Sequence, residues 1–248
     1  MNDLSGRTTI VVGASRGLGR GIARAFAGAG APVVAVARTG PALAELAAAG
    51  TNIRTEVADA ADATVPPSLL DRYRPEVLIL VAGAIPVTAP LQDQTWETFS
   101  VNWHADVKIA FTWLGAAPRK PLPPGSRVIV VSSRAAVNGS PASGGYAGAK
   151  ATQRFIAEYA QDESRRAGLG ITVTAVLPRM TPLGDVGMEG VRAYAARDGL
   201  TEEAYLKQLG EPLTPEMAGS ALVDLVRADP ATTAPGYLLT AAGLQKLP

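Results

Sequence analysis

The sequence predicts an α/β protein with one doubly wound parallel sheet and helices on both of its faces. Short runs rich in β-branched residues alternate with alanine-rich helical stretches, a pattern typical of right-handed βαβ units. The runs are apolar almost throughout, as expected for strands buried on both faces. The 248 residues are 47% hydrophobic, which is enough for one large core, so we expect a single domain over residues 1–248.

The strands are predicted from these apolar runs. The first strand, Thr8–Val12, reads TTIVV, whereas the strand at Asn52–Val57 is weaker and more polar. The last strand, Tyr237–Thr240, is expected at an edge of the sheet. The remaining predicted strands are Pro32–Ala37, Val77–Val81, Val128–Val131 and Ile171–Leu177.

Helices are predicted between the strands, and one long segment interrupts the alternation. Thr214 suits the N-cap of a last helix that has Pro215 at its first position. Residues 180–213 mix polar and apolar side chains, and we expect them to form a short substrate lid rather than a second domain. The predicted helices are Leu18–Ala29, Pro41–Ala49, Ser68–Tyr73, Val101–Ala116, Tyr146–Ala167 and Pro215–Val226.

The composition excludes several classes of function. The 23 Lys and Arg residues nearly balance the 22 Asp and Glu residues, so there is no basic excess to hold a nucleic-acid backbone. Cysteine is absent and His104 is the single histidine, which argues against disulfides, thiolate nucleophiles and metal sites of Cys or paired His ligands. No signal peptide is visible, and no apolar run reaches the ~20 residues of a membrane helix. We therefore expect a cytoplasmic protein without nucleic-acid, membrane or metal partners.

A glycine-rich turn follows the first strand directly and leads into a helix. It reads GASRGLG over residues 13–19. Glycines here allow a tight turn and let backbone N–H groups approach a pyrophosphate, so the turn predicts nucleotide binding. The same residues also match G-x-S-x-G, the nucleophile elbow of α/β-hydrolases, with Ser15 as the nucleophile. That alternative is disfavoured because its histidine could only be His104, which lies inside a predicted helix.

A tyrosine and a lysine lie four residues apart at the start of a predicted helix. Tyr146 and Lys150 therefore share one face, one turn apart. A free tyrosine has a pKa of about 10, and a nearby cation favours the phenolate and so brings proton transfer closer to neutral pH. Ser133 lies thirteen residues before Tyr146, at the C-terminal end of a buried strand, where open α/β sheets bind their ligands.

In combination, these motifs resemble the short-chain dehydrogenase/reductase family over nearly the whole chain. The resemblance implies a Rossmann-like fold and an oxidoreductase that transfers a hydride between a nicotinamide cofactor and a carbonyl or secondary alcohol. The residues that carry it are the turn at 13–19, Asp59 after the third strand, Asn102, Ser132-Ser133, Tyr146 and Lys150.

The resemblance implies a role for each of these positions. Tyr146 is the expected general acid in the reductive direction, and Lys150 lowers its pKa and binds the nicotinamide ribose. Ser133 polarises the substrate carbonyl and holds its oxygen where negative charge develops. Asn102 supports a water chain that resupplies the proton through Lys150, and Asp59 contacts the adenine ring.

The end of the second strand predicts NADP(H) rather than NAD(H). NAD-binding members place an acidic residue there for the ribose hydroxyls, yet no carboxylate occurs between Arg24 and Glu45. Arg38 instead offers a planar fork of donors for a 2′-phosphate, and Arg16 resembles a second basic residue of NADP-preferring members. The alternative is that both arginines are solvated surface charges. The expected cofactor-binding residues are Gly13, Ser15, Arg16, Gly17, Leu18, Gly19, Arg38, Thr39, Asp59, Ala82, Gly83, Tyr146, Lys150 and Pro178.

Two positions depart from the family pattern. The fourth strand leads into Val81-Ala82-Gly83, which keeps the Ala-Gly contact to the cofactor but has valine where an asparagine usually ties strands together. The sixth strand is followed by Arg179 in place of the usual glycine. We expect Arg179 to point into solvent, with a contact to a substrate anion or to cofactor phosphates as the alternative. Because neither change touches the Asn–Ser–Tyr–Lys set, an active enzyme is expected.

The predicted lid suggests the substrate, and two other functions stay open. Its apolar side chains and mixed charges favour a medium-sized, largely apolar ketone or the matching alcohol. The alternatives are a nucleotide-binding protein without redox turnover, and a lyase, epimerase or cyclase that reuses the same pocket. The presence of both Tyr146 and Lys150 favours the enzyme. His104 is expected to be a packed or surface residue rather than a catalytic one.

Two long helices predict self-association. In the resembling family, the helices that correspond to 101–116 and 146–167 commonly form a four-helix interface. Their apolar residues here exceed one buried stripe, so we expect a homodimer or homotetramer with two-fold symmetry.

Overall fold

One sheet organises the computed structural model, which describes residues 3–119 and 122–247. The strand order within that part of the chain is β3-β2-β1-β4-β5-β6-β7-β8, and only β8 runs antiparallel to its neighbour. The strands are β1 Thr9–Val12, β2 Val33–Ala37, β3 Ile53–Val57, β4 Val77–Leu80, β5 Arg127–Val131, β6 Thr172–Pro178, β7 Gly236–Thr240 and β8 Gly243–Lys246.

The strand order reverses between β1 and β4, and this reversal creates the binding crevice. From β1 the chain builds outward to β3, then returns to place β4 on the other side of β1. Helices that leave β1 and β4 diverge to opposite faces, which opens a crevice beyond the C-terminal ends of these strands. Both strands are buried at every position and, apart from Thr9, aliphatic, as their cover on both faces requires.

Two helical layers cover the sheet. Helices α1, α2 and α10 pack on one face, where they meet side chains such as Val11 and Ile79. Helices α3, α5 and α7 pack on the other face against Ile10 and Leu78. The helices are α1 Gly17–Gly28, α2 Gly40–Ala48, α3 Val65–Tyr73, α4 Trp96–Phe99, α5 Lys108–Ala116, α6 Ala135–Asn138, α7 Gly144–Arg166, α8 Asp185–Arg197, α9 Glu202–Leu209 and α10 Pro215–Arg227.

The predicted α/β fold is confirmed, with three differences in its elements. The helix predicted over 101–116 is not continuous, because a π-helical turn at Trp103–Val107 precedes α5. The strand predicted at Tyr237–Thr240 is not at the edge, since β8 pairs with its outer side. The short polar sequence of β8, GLQK, gives no apolar signal, because it is an exposed edge strand. Residues 180–213, for which no helix or strand was predicted, contain α8 and α9.

No helix in the described residues is long and apolar enough to cross a membrane.

Candidate active site

The glycine turn brings backbone close to backbone at the end of β1. Gly13 has a φ of +96°, and a Cβ there would lie 2.6 Å from the backbone nitrogen of Ala82. A Cβ on Gly19 would overlap the carbonyl of Gly13. Arg16, at the N-cap of α1, makes no side-chain capping bond, so the first N–H groups of α1 are left for a ligand or water.

A cavity of about 1120 Å³ extends from this turn across the C-terminal strand ends to residues 180–213. Every residue predicted to bind the cofactor lines this cavity, and so does Ser133. Asn102 alone among the predicted site residues does not line it. The structure therefore brings together the glycine turn and the Ser–Tyr–Lys set, which are far apart in the sequence.

The two arginines at the cofactor end differ in their surroundings. Arg38 follows β2 and forms no ion pair among the described residues. Arg16 lies 2.6 Å from Asp185, the first residue of α8, and both side chains are more than half exposed. Asp59 lines the same end, and its carboxylate accepts a hydrogen bond from the backbone N–H of Ala61 at 3.0 Å.

The catalytic candidates meet where β5 ends and α7 begins. Ser133 follows β5, and its hydroxyl oxygen accepts a hydrogen bond from the N–H of Ala135 at 3.2 Å. Ser132 donates to the backbone carbonyl of Lys150 at 2.7 Å and so ties the strand end to α7. The ammonium of Lys150 lies 5.5 Å from the centroid of the Tyr146 ring. The predicted one-turn relation between tyrosine and lysine is thus present in three dimensions.

Lys150 is buried, although it carries a charge. Its Nζ lies 2.9 Å from Asp106 Oδ1 and donates to Gln153 Oε1, also at 2.9 Å. Burial alone would lower the pKa of Lys150, but attraction to the Asp106 carboxylate and to Tyr146 outweighs it. The pKa of Lys150 therefore lies above its ordinary value, and the residue is a cation near neutral pH.

Asn102 is buried at the start of the π-helical turn and its amide is already engaged. Nδ2 donates to the Ala84 carbonyl at 2.8 Å and to Asp106 Oδ2 at 3.1 Å. These bonds use both amide hydrogens, so any support for a water chain falls to other atoms of this residue.

Sequence reasoning missed Asp106, the fully buried partner of Lys150. A signal was available, because Asp106 is four residues after Asn102 in a largely apolar helical stretch. A lone carboxylate at that spacing shares a face with Asn102 and needs a buried partner. Only the fold shows that this partner is the active-site lysine.

Two further positions differ from expectation or add to it. Arg179 is half-buried and lines the cavity, contrary to the expectation that it points into solvent. Burial, together with Asp198 and Tyr194, raises the pKa of Tyr205 above its ordinary value, and the positive charge of Arg179 opposes this rise.

His104 is exposed and lines the cavity wall, so it is a surface residue of the cavity rather than part of the core.

Residues 180–213 form the wall opposite the catalytic candidates. The rings of Tyr194 and Tyr205 stack with centroids 6.3 Å apart. The hydroxyl of Tyr194 lies 2.6 Å from that of Ser140, which joins α8 to the loop before α7. Thr88 donates to Glu189 on α8 at 2.6 Å, so the segment is held from two sides.

The doubly wound sheet, the glycine turn on β1 and the Tyr–Lys pair over the strand ends together form a site that suits a dinucleotide. The chain belongs to the short-chain dehydrogenase family, whose model matches residues 7–192. A hydroxynaphthalene reductase from Aspergillus fumigatus is 29% identical over 246 residues, covering 91% of this chain and 88% of that protein. An L-xylulose reductase from Bos taurus is 34% identical over 111 residues, 43% of this chain; the match spans only 46% of that reductase.

Solved structures share the fold. A protein from Beutenbergia cavernae, assigned as an NAD(P)-dependent gluconate 5-dehydrogenase and bearing NADP at low occupancy, superposes with a TM-score of 0.75. It is 27% identical, and 89% of each chain is covered. A xylitol dehydrogenase with NAD⁺ bound superposes with a TM-score of 0.82 at 20% identity, over 95% of this chain and 97% of that one. At 20% identity, the likeness to the xylitol dehydrogenase shows the fold alone.

Proposed function

We propose that the protein is an NADP(H)-dependent oxidoreductase that interconverts a ketone and a secondary alcohol. The observation that carries this proposal is that Ser133, Tyr146 and Lys150 line the same cavity as the glycine turn. A site for proton transfer and a site for a dinucleotide would therefore share one cavity.

The cavity suits a nicotinamide dinucleotide at its other end. Gly13 and Gly19 let the turn pack against the backbone of the strand ends without a Cβ between them, and the uncapped N-terminus of α1 suits a pyrophosphate. Arg38, with no ion pair among the described residues, suits a 2′-phosphate. When bound, the cofactor supplies or accepts the hydride.

The side chains of this chain would handle the proton and the developing charge. Tyr146 would donate its hydroxyl proton to the carbonyl oxygen during reduction and take it back during oxidation. Ser133 would donate a hydrogen bond to the same oxygen as negative charge develops there. Lys150 would orient the phenol and hold the cofactor ribose. Asn102 would act through its bonds to Ala84 and Asp106, which fix the turn beside Lys150.

The substrate end favours a medium-sized ketone that is largely apolar. Side chains from residues 180–213 supply Met180, Leu183 and Val186, together with the stacked pair of tyrosines. Arg134 and Arg179 also line the cavity. A strict requirement for an anionic substrate would contradict this part of the proposal and would identify these arginines as its binding groups.

The function is tested by mixing the protein with NADPH and a panel of aliphatic and aromatic ketones, and following the nicotinamide absorbance. We expect oxidation of NADPH with at least one ketone. Tyr146→Phe should lower kcat by at least ~10²-fold with cofactor affinity nearly intact, the scale of positioned acid catalysis. Tyr159→Phe is the matched control, because it makes the same change at an exposed site on the same helix.

Two outcomes would overturn the assignment. Full turnover in Tyr146→Phe would remove Tyr146 as proton donor. Tight NADPH binding without oxidation across the panel would favour a nucleotide-binding protein without turnover, or a lyase, epimerase or cyclase.

A further inference from the structure

We propose that Asp106 is a positioning residue of the active site: its buried carboxylate fixes the Lys150 ammonium and balances its charge. Nothing in the family resemblance assigns a role to this position. The inference rests on the proposed function, because it treats Tyr146 as the proton donor that Lys150 assists.

The carboxylate is held in place on both of its oxygens. Oδ2 accepts hydrogen bonds from the backbone N–H of Ala84 at 2.9 Å and from Asn102 Nδ2 at 3.1 Å. Oδ1 lies 2.9 Å from Lys150 Nζ and makes no other hydrogen bond within the described part of the chain. A Cβ on Gly83 would come within 2.6 Å of Oδ1, so only glycine there leaves room for the carboxylate. A rigidly held carboxylate therefore points at the ammonium.

Two N–H groups of the Lys150 ammonium bind neighbouring side chains, and the third is left for the cavity. An ammonium has three N–H groups. One faces Asp106 and a second donates to Gln153, whose own amide donates to the backbone carbonyl of Asp106 at 2.9 Å. The third is left for the cavity, where Tyr146 and the cofactor ribose would lie. The network thus fixes the direction of the remaining donor.

The same pair changes the electrostatic field at Tyr146. A lone buried cation would strongly favour the phenolate, whereas an ion pair acts as a dipole whose two charges largely cancel at a distance. Asp106 therefore moderates the effect of the Lys150 charge on its surroundings. When the carboxylate is removed, the phenolate of Tyr146 is still an anionic partner that keeps the Lys150 ammonium protonated, so phenolate formation is expected at lower pH.

Other titratable or charged side chains surround this site and are the same in every variant that is titrated. At this end of the cavity they are His104, Arg134, Arg179, Tyr194 and Tyr205. Glu97 on α4 and Lys108 on α5 are exposed, and both helices pack near α7. The charge of Lys108 helps to lower the pKa of Asp62. All of them remain in every variant, so their contributions cancel when variants are compared.

The test is a titration that needs no substrate. The near-ultraviolet absorbance of phenolate is measured against pH for the protein and for its Tyr146→Phe variant, and the difference reports Tyr146 alone. In the Asp106→Asn background we expect the midpoint to fall by about one pH unit, the order of the effect of one nearby charge in an effective dielectric of ~20. Gln153→Met is the matched control, because it removes a neutral partner of the same ammonium and should leave the midpoint in place.

A midpoint in Asp106→Asn equal to that of the unaltered protein would overturn the proposal and leave Asp106 a purely structural role. If Asp106→Asn does not fold, the double variant Asp106→Leu with Lys150→Met replaces the pair by apolar side chains. Against the single variant Lys150→Met, which keeps the carboxylate, we then expect the double variant to titrate at a lower pH, and equal midpoints in the two variants would contradict the proposal. A shifted titration in a protein that reduces no ketone would refute the proposed function alone. In an active enzyme, the pH profile of kcat/KM should move in the same direction as the titration.

Discussion

Arg38 and Arg16 show how two residues of the same type at one end of a cavity can differ in availability. Arg38 has no ion pair among the described residues, whereas Arg16 already pairs with Asp185 at 2.6 Å. A 2′-phosphate would bind Arg38 directly but would have to compete with a carboxylate for Arg16. The preference for NADP(H) should therefore depend mainly on Arg38.

Arg38→Ala should reduce the preference for NADPH over NADH by about one to two decades. A charge-assisted contact of this kind contributes about 1.5–3 kcal/mol. The measurement is kcat/KM with each cofactor, and Arg16→Ala should have the smaller effect. Arg54→Ala removes an equal charge from an exposed site on β3 and should leave the ratio unchanged. An NADH preference in the unaltered protein, or an unchanged ratio in Arg38→Ala, would contradict the assignment of Arg38.

Single residues also show where sequence reasoning stops. The one-turn relation of Tyr146 and Lys150 follows from helix periodicity, so it could be predicted. The ion pair of Lys150 with Asp106 joins two elements whose relative placement is set by the whole sheet, and no local pattern indicates it. Arg179 was expected in solvent because its immediate neighbours give no sign of α9, which brings Tyr205 toward it.

At the scale of elements, burial on both faces made the strands predictable. Buried strands give continuous apolar runs, and five of the seven parallel strands were found from that signal, whereas β3 is largely exposed and gave a weaker, more polar pattern. Helix starts were placed within three residues for α1, α2, α3, α7 and α10. The π-helical turn was not predictable, because its cause is a tertiary one: the turn places Asn102 and Asp106 against the chain after β4.

The C-terminal end of α10 depends on a buried arginine of β5. Arg127 donates to the carbonyls of Leu225 at 2.9 Å and Ala228 at 3.0 Å, and to the Thr233 hydroxyl at 2.8 Å. Burial, together with the charge of Arg7, lowers the pKa of Arg127 below its ordinary value. A helix end normally leaves its last carbonyls unpaired, so this side chain supplies partners that α10 lacks.

Arg127→Met should therefore destabilise the protein by about 2–4 kcal/mol, because buried carbonyls lose charged donors. The measurement is the free energy of unfolding from denaturant titration. Arg165→Met, at an exposed ion pair on α7, should change it by less than about 0.5 kcal/mol. Equal stability of the two variants would show that the Arg127 contacts do not support α10.

At the scale of the whole molecule, the outer surface of the α5–α7 layer is apolar to an unusual degree. Phe111 on α5 is 67% exposed, and Tyr159 on α7 is 63% exposed. Phe155 is about half exposed and stacks on Tyr159 with ring centroids 6.4 Å apart. Three large aromatic side chains on one layer form a patch of the kind that usually marks an interface.

We therefore expect this face to join two copies of the chain about a two-fold axis. An isologous contact would bring the patch against itself, so one substitution alters both sides of the interface. Phe111→Glu or Tyr159→Glu should reduce the mass measured by light scattering at micromolar concentration to that of a monomer, because each copy would bury unpaired carboxylates. Val57→Glu is the matched control, since Val57 is as exposed but lies on the edge strand β3. A monomeric mass for the unaltered protein would refute self-association, and an unchanged oligomer in both helix variants would place the interface on another face.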